Sequence, residues 1–595
     1  MNKPCPNSPL PEPQRHAARL IDEMVHAQLA ETSMGLSPIS LALAYADWAM
    51  HLAASPGRQM LLAQQALALS YEVMTRSWQQ QLALEASDEP VAETDPRFSE
   101  AGWNQWPFNF FKDSFKASDA WWRESTRMDG MSRHHHHLVS FFARQGLDAL
   151  SPSNWAITNP EVLRTGQASL GHSWIKGYQR YARDLMEYAK ARTMDNADTL
   201  KPLDFEVGKD VAVTAGKVVF RNHLIELIQY APTTGLVYPE PLLIVPSCIM
   251  KYYILDLSPA NSMVKYLVGQ GYTVFMISWR NPDAADRNLG MQDYLQQGVM
   301  EAMAAVKSLA KAPGIHALGY CLGGTFLSIV AAALGREEGV TNQHRFPELV
   351  SVTLLAALTD FSEPGELGVF IDDDQLRTLR EQMARTGYFS GRQMAGSFQF
   401  LNSRDLVWSR NTRRYLLGQD EVGNDMMSWN ADVTRLPERM HSEYLSSLFL
   451  NNALATGRYR LDNAGLGLMD IKAPMLVVAT VRDHISPWHS VYRIHLLTDT
   501  SVSFILTAGG HNAGIISEPG HPHRSYQMAS AEQGHGWTEP DEWVAKAPHF
   551  DGSWWEAMHH WLSERSGAPV PPPRIDPATI LGKAPGGYVM VRYAD

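Results

Sequence analysis

Six short apolar runs, at 241–245, 273–278, 315–319, 350–355, 475–480 and 502–507, constrain what this chain can fold into more than any other feature. Each has strand length, looks buried and ends in polar residues or glycine. Runs of that kind are buried on both faces, and between the first four lie stretches with helical spacing. The pattern predicts an α/β fold with a mostly parallel sheet covered by helices. Between the fourth and fifth runs, at about 357–473, no comparable strand series occurs, although "QLRTLREQMARTG" and "SEYLSSLFLNNALATG" have helical spacing. An insertion of that size fits a cap over the C-terminal ends of the strands.

The strand texture begins near residue 205 and places the catalytic domain at 205–595. Residues 1–20 are proline-rich and polar, a disordered start, and 21–204 form a helical N-terminal domain rich in alanine and leucine. Within it "WNQWPFNFFKDSFKASDAWW" at 103–122 is dense in aromatics. Such a segment either packs on its own chain or meets a partner or a hydrophobic particle.

A net charge of -12 with no lysine-rich cluster argues against nucleic acid as a partner. The three cysteines, Cys5, Cys248 and Cys321, are too few and too scattered for a disulfide framework or a zinc site, and fit a reducing cytoplasm. No signal-peptide pattern opens the sequence, and no apolar run reaches the length of a membrane span.

Chemistry concentrates at "GYCLGG". Gly319, Tyr320, Cys321, Leu322 and Gly323 form GxCxG, a nucleophile elbow with a thiol where serine is usual. The turn from strand to helix is tight enough to demand glycines around the nucleophile, and it offers the Leu322 N–H to a developing oxyanion. A hydrolase-like fold should then supply an acid and a histidine after later strands. Asp483 follows the run at 475–480 and His511 follows the run at 502–507, in that order. Asp483 would orient the imidazole and His511 would act as general base and acid. The loop after 241–245, with the N–H near Cys248 or of Ile249, is the candidate for the second oxyanion donor.

Several residues admit two readings. His484 either handles substrate or is structural. Cys248 is a second reactive thiol or packing beside a strand end. Asp256 precedes the nucleophile and fits a structural role better than that of triad acid. The run His134–His137 lies inside the chain, and adjacent helical positions cannot all face one ion, so it predicts solvated histidines and no metal site. His521 and His523 lack carboxylate or cysteine partners at ligand spacing, and neither GxGxxG nor a Walker motif occurs.

From about residue 95 onward the chain resembles the polyhydroxyalkanoate (poly-3-hydroxybutyrate) synthases, particularly the single-subunit kind that uses short-chain hydroxyacyl-CoA. The phrases "SPSNWAITNPE", "IQYAPTT", "KYYILDL", "GYTVFMISWRNP", "GYCLGGT", "LTDFSEPGELGVFID", "WNADVTRLP", "VRDHISPW" and "GGHNAG" carry the likeness in the family's order. The resemblance implies an α/β-hydrolase-like catalytic domain behind a helical N-terminal one, with Cys321 as acyl carrier, His511 as base and Asp483 as its partner. It further implies (R)-3-hydroxyacyl-CoA, 3-hydroxybutyryl-CoA first, as substrate, with no cofactor beyond the coenzyme A that leaves. A homodimer joined through the cap around 358–368 and association with cytoplasmic polyester granules also follow from it. The chain departs from the family's common pattern at Ser247, Met250, Asn512, and Asn402 with Arg404, which suggests a divergent branch. A cysteine-dependent ester or thioester hydrolase and a non-catalytic granule-associated homologue are the competing readings.

Overall fold

The computed structural model describes residues 36–81, 95–193, 204–336, 343–401, 403–420, 423–534 and 536–592, with the single positions 18, 22, 25 and 93. Cys5, Asn402 and most of the polar start lie outside them. The chain divides into two compact units, residues 1–200 with 395–422, and residues 201–394 with 423–595.

The second unit is built on one eleven-stranded sheet. In chain order its strands are β1 Gly216–Arg221, β2 Ile225–Tyr230, β3 Leu242–Val245, β4 Val274–Trp279, β5 Gly314–Tyr320, β6 Glu348–Leu355, β7 Met475–Thr480, β8 Val502–Thr507, β9 Ser525–Ala531, β10 His549–Asp551 and β11 Gly582–Lys583. They lie side by side as β10-β9-β8-β7-β6-β5-β3-β4-β2-β1-β11. The six runs read from sequence are β3 to β8, and all their mutual pairings are parallel. Every residue of β3, β4, β5, β7 and β8 is buried, which is why these segments carry no polar alternation. Burying one such aliphatic side chain contributes about 1.5–3 kcal/mol, so the central strands form the most strongly held part of this unit.

Antiparallel strands flank this core on both sides. Beyond β1 the chain's last described segment closes the edge: β11 pairs with β1, and buried Glu226 on β2 accepts the Gly587 and Tyr588 N–H groups, both at 2.9 Å. Arg221 pairs with the same carboxylate, so Glu226 is a buried charge with its hydrogen bonds filled.

Between β6 and β7 the described residues hold helices and two-residue strand pairs only, Tyr388–Phe389 with Leu436–Pro437 and Arg460–Leu461 with Ala464–Gly465. Within this insertion, Asp372 caps the helix Asp373–Thr386 and Gly387 ends it at φ 79°. Residues 395–422, sequence-read as part of the cap, belong to the first unit.

The first unit contains α1 Pro38–Ala53, α2 Pro56–Gln81, α3 Phe108–Ser125, α4 Arg133–Leu150, α5 Pro160–Ala168 and α6 His172–Thr193. Side-chain caps start three of them: Ser37 on Ser40, Ser132 on His135, and Asn159 on Glu161 and Val162. Phe98, Trp103 and Phe115 bury themselves together, with Phe108 and Leu147 packed against them, so part of the aromatic segment is core, while Trp106 and Phe110 remain exposed. Arg97 bridges Asp95 and Asp148 at 2.8 and 2.7 Å beside that cluster.

Residues 395–422 are drawn into this unit by α6. Arg414 and the Tyr415 hydroxyl both donate to Asp184, and Lys176 and Arg180 both pair with Asp420. Gly177 permits the contact, since a Cβ there would lie 2.0 Å from the Tyr415 carbonyl oxygen. Among the described residues, no helix is long and apolar enough to cross a membrane.

Candidate active site

Strand β5 ends at Tyr320, and the helix α7, Leu322–Leu334, begins two residues later, leaving Cys321 alone at the turn with φ 52° and ψ -126°. That is a strained position for a residue with a side chain, held because the surroundings determine it. The Cys321 N–H donates to Leu355 on β6 at 2.9 Å and its carbonyl accepts Gly324 N–H, so both sides of the strained peptide are fixed. Each neighbouring glycine makes room for backbone. A Cβ on Gly323 would stand 2.2 Å from the Val245 carbonyl oxygen and 2.5 Å from that of Pro246. On Gly319 it would meet Gly324 at 2.4 Å, and on Gly324 it would meet Ala357 at 2.5 Å.

Asp483 and His511 arrive from the ends of β7 and β8. His511 Nδ1 donates to Asp483 Oδ2 at 2.8 Å, and Cys321 lies near enough for its charge to act on the same ring. Thr480 and the Ile485 and Ser486 N–H groups complete the Asp483 carboxylate at 3.2, 2.9 and 2.8 Å. Burial pushes this carboxyl up, but the His511 charge and these hydrogen bonds outweigh it and hold its pKa below the usual value. Burial likewise opposes a charged His511, but the charges of Asp483 and Cys321 and the hydrogen bond to Asp483 push the ring well above an ordinary histidine. The sequence-predicted trio is thus assembled as one connected set.

The His511 loop is anchored from the C-terminal helix Trp554–Ser563. Trp554 Nε1 donates to Gly514 O at 3.0 Å and Trp555 Nε1 to Ile515 O at 2.9 Å. Beside the ring, Tyr320 lies 5.7 Å from His511 centroid to centroid and its hydroxyl donates to Asn512 Oδ1 at 2.6 Å. Asn512 therefore satisfies a buried phenol next to the nucleophile.

The remaining candidates are placed as follows. Leu322 is buried at the first position of α7. The Ile249 N–H donates to Ser247 Oγ at 3.2 Å. His484 is half-buried on the loop after Asp483, with its carbonyl against Gly365. Cys248 is buried, and burial with the nearby Cys321 charge pushes its thiol up, which favours packing over a second reactive thiol. Asp256 accepts from Thr214 and Ser262 at 2.5 and 2.6 Å, a buried structural knot. In the histidine run, His135 pairs with Asp47 at 2.6 Å, and among the described residues no group of three histidine, cysteine or acidic side chains could hold a metal ion.

Sequence reasoning missed Tyr444 and the clamp at 429–434. Burial and the charges of Cys321 and Cys248 push the Tyr444 phenol well up, so this residue of the π-helical turn Tyr444–Leu450 lies in the field of both thiols. Trp429 Nε1 donates to Lys251 O at 2.7 Å and Tyr253 donates to Asp432 at 3.0 Å, which joins the segment to the loop after β3. An apolar period gives no sign of such contacts, because they link residues some 180 positions apart.

Profiles of known protein families agree with this architecture. A profile of the α/β hydrolase fold matches residues 241–516, and profiles described as the poly-beta-hydroxybutyrate polymerase N-terminus match 94–267 and 16–58. The poly(3-hydroxyalkanoate) polymerase of Methylorubrum extorquens is 38% identical over 514 residues, covering 85% of this chain and 83% of that one. The poly(3-hydroxyalkanoate) polymerase subunit of Rhizobium meliloti (strain 1021) is 34% identical over 543 residues, covering 90% and 87%. Among solved structures, a monoacylglycerol lipase of Paleococcus ferrophilus aligns at 12% identity with a TM-score of 0.31, covering 57% of this chain and 99% of the lipase. Similarity at this level along most of this chain and most of both polymerases means that this chain belongs to the poly(3-hydroxyalkanoate) polymerase family.

Proposed function

We propose that the chain polymerises (R)-3-hydroxyacyl groups, 3-hydroxybutyryl first, from their coenzyme A thioesters through a covalent Cys321 thioester. The observation that carries this reading is the connected Cys321–His511–Asp483 set at a strained elbow, in a chain of this family. His511 takes the Cys321 proton, the sulfur attacks the acyl carbon, the carbon–sulfur bond to coenzyme A breaks, and the proton leaves with the coenzyme A thiol. One thioester replaces another at nearly equal energy, so the acyl group stays activated. A serine ester would lose that activation.

In the second half, His511 takes the proton of a 3-hydroxyl on the next unit or chain. The oxygen attacks the enzyme thioester, a carbon–oxygen ester bond forms, the carbon–sulfur bond breaks and the proton returns to Cys321. Asp483 holds the imidazole in orientation and balances its charge through both halves. The N–H groups of Leu322 and of the 248–249 loop are the candidates to receive the oxyanion, and half-buried His484 is the candidate for substrate handling. The insertion between β6 and β7, with Tyr444 near the thiol, serves to keep water from the acyl-enzyme. The cycle balances without a metal or a nucleotide cofactor. The working form in this reading is a homodimer joined around 358–368 at the surface of a cytoplasmic polyester granule, an assignment supported by the family resemblance.

Incubation of the purified chain with (R)-3-hydroxybutyryl-CoA tests the reading. Coenzyme A release with an insoluble polyester is expected, and Cys321→Ala should abolish both. Free hydroxy acid as the sole product would replace polymerase with hydrolase, and wild type with no turnover would favour the non-catalytic homologue.

A further inference from the structure

In the loop after β3, two consecutive carbonyls are held by one side chain from the insertion, next to the Trp429 contact on Lys251. Thr434 Oγ1 lies 2.7 Å from Cys248 O and 2.6 Å from Ile249 O, its hydroxyl donating to this carbonyl pair, and its own N–H donates to Ile249 O at 3.3 Å. Val433 and Met250 form an antiparallel bridge beside it. Thr434 is 1% exposed, so water does not compete for these contacts. In a trans peptide the C=O and the following N–H point in opposite directions. Anchoring the Cys248 carbonyl therefore fixes the direction of the Ile249 N–H, which donates to Ser247 Oγ at 3.2 Å in this structure and would exchange that partner for the oxyanion, and anchoring the Ile249 carbonyl fixes the direction of the Met250 N–H. The same loop presses on the elbow, where the Val245 and Pro246 carbonyls occupy the space a Gly323 side chain would need.

We infer that Thr434 is a positioning residue for acylation: carried on the insertion, it sets the orientation of the backbone donors in the loop that faces Cys321. The inference rests on the reading of Cys321 as the acyl-accepting nucleophile. A hydroxyl at this position ties the insertion to the oxyanion side of the site, while Asp483 and His511 serve the proton side without its help. Thr434 touches no reacting atom, and its effect passes through the 248–250 backbone.

The two sides can be separated experimentally. Acylation by 3-hydroxybutyryl-CoA, read as the first turnover of coenzyme A release, develops an oxyanion. Alkylation of Cys321 by iodoacetamide is displacement at a saturated carbon and develops none, yet depends on the same thiol and histidine. In the full-length chain, Thr434→Val should slow acylation about 10- to 100-fold and leave the alkylation rate within about twofold, by comparison with the loss of one oxyanion donor. Thr434→Ser, which keeps the hydroxyl, should restore acylation to within about threefold of wild type. Thr434→Ala removes the hydroxyl without new bulk and carries the same expectation should the valine variant not fold. Unchanged acylation in a folded hydroxyl-free variant overturns the inference, and so does a parallel loss of both rates, which would mark general damage. A wild type that neither releases coenzyme A nor is alkylated at Cys321 fails at the nucleophile itself and removes the basis of this inference.

Discussion

Acid should destabilise this protein through a residue outside the Cys321–His511–Asp483 set, His316, within β5. The ring is 0% exposed, with Nδ1 2.7 Å from Ser351 Oγ and Nε2 3.0 Å from Ser566 Oγ. Because the Ser566 hydroxyl donates to Leu562 O, it accepts from Nε2–H, which leaves Nδ1 to accept from Ser351. Charging the ring would put a cation in the most buried strand and force Ser351 to turn its proton away. Burial, with Arg565 adding to it, accordingly lowers the pKa from 6.5 to about 4. A depressed folded value means that the unfolded chain binds the proton first. The contribution is complete above about pH 6.5 and is lost as pH falls toward 4. At about pH 5 it costs about 2 kcal/mol, and below pH 4 about 3 kcal/mol. Urea unfolding at about pH 7.5 and about pH 5 reads the effect, with His316→Gln as a partner that cannot charge. The pH-dependent loss should be about 2 kcal/mol larger in wild type than in the variant. Equal losses in the two proteins would refute the reasoning, since every other titrating group cancels in the difference. His441, stacked on Phe389 at 4.5 Å and lowered to about 4 by burial, should behave alike from within the insertion.

Three further expectations concern the site. Asp483→Asn removes the charge that raises His511, and first-turnover coenzyme A release should fall about 10²- to 10⁴-fold with the fold intact by circular dichroism; a change under about threefold would rule out the pairing as a catalytic one. Gly323→Ala forces a Cβ to 2.2 Å from the Val245 carbonyl oxygen, so the thermal midpoint should drop in step with a cost of about 1–3 kcal/mol and acylation should be lost, whereas a fully active variant would contradict the elbow packing. Asn512→Leu leaves the buried Tyr320 hydroxyl without its acceptor at a cost of about 1–3 kcal/mol, and adding Tyr320→Phe should recover most of it; additive losses in denaturant unfolding would show that the two do not interact.

What the sequence disclosed and what it withheld divide along one physical line. β3 to β8 were legible because strands buried on both faces are predominantly apolar, with polar residues such as His316 and Ser351 admitted where they bond to one another, and such a run is visible without knowing its neighbours. The antiparallel strand β9, largely half-exposed as "SYQMASA", carries no such mark, and it exists because Ala531 to Tyr526 pair residue by residue with β8. Cys321, Asp483 and His511 were legible for a related reason: each must sit where a strand ends, so its position follows once the strands are found. Residues that act across the fold are different. Thr434 looks like any threonine until the insertion brings it onto the Cys248 and Ile249 carbonyls, and Asn512 looks like a defect in a motif until Tyr320 is seen donating to it. Likewise 395–422 join the first unit through Asp184 and Asp420, two carboxylates whose arginine and lysine partners lie more than two hundred residues away. Chemistry that depends on one strand end is therefore written locally, whereas the contacts that hold its backbone donors in place are set by where a long insertion returns. A substitution in that insertion should alter how fast Cys321 is acylated while leaving every residue of the motif untouched.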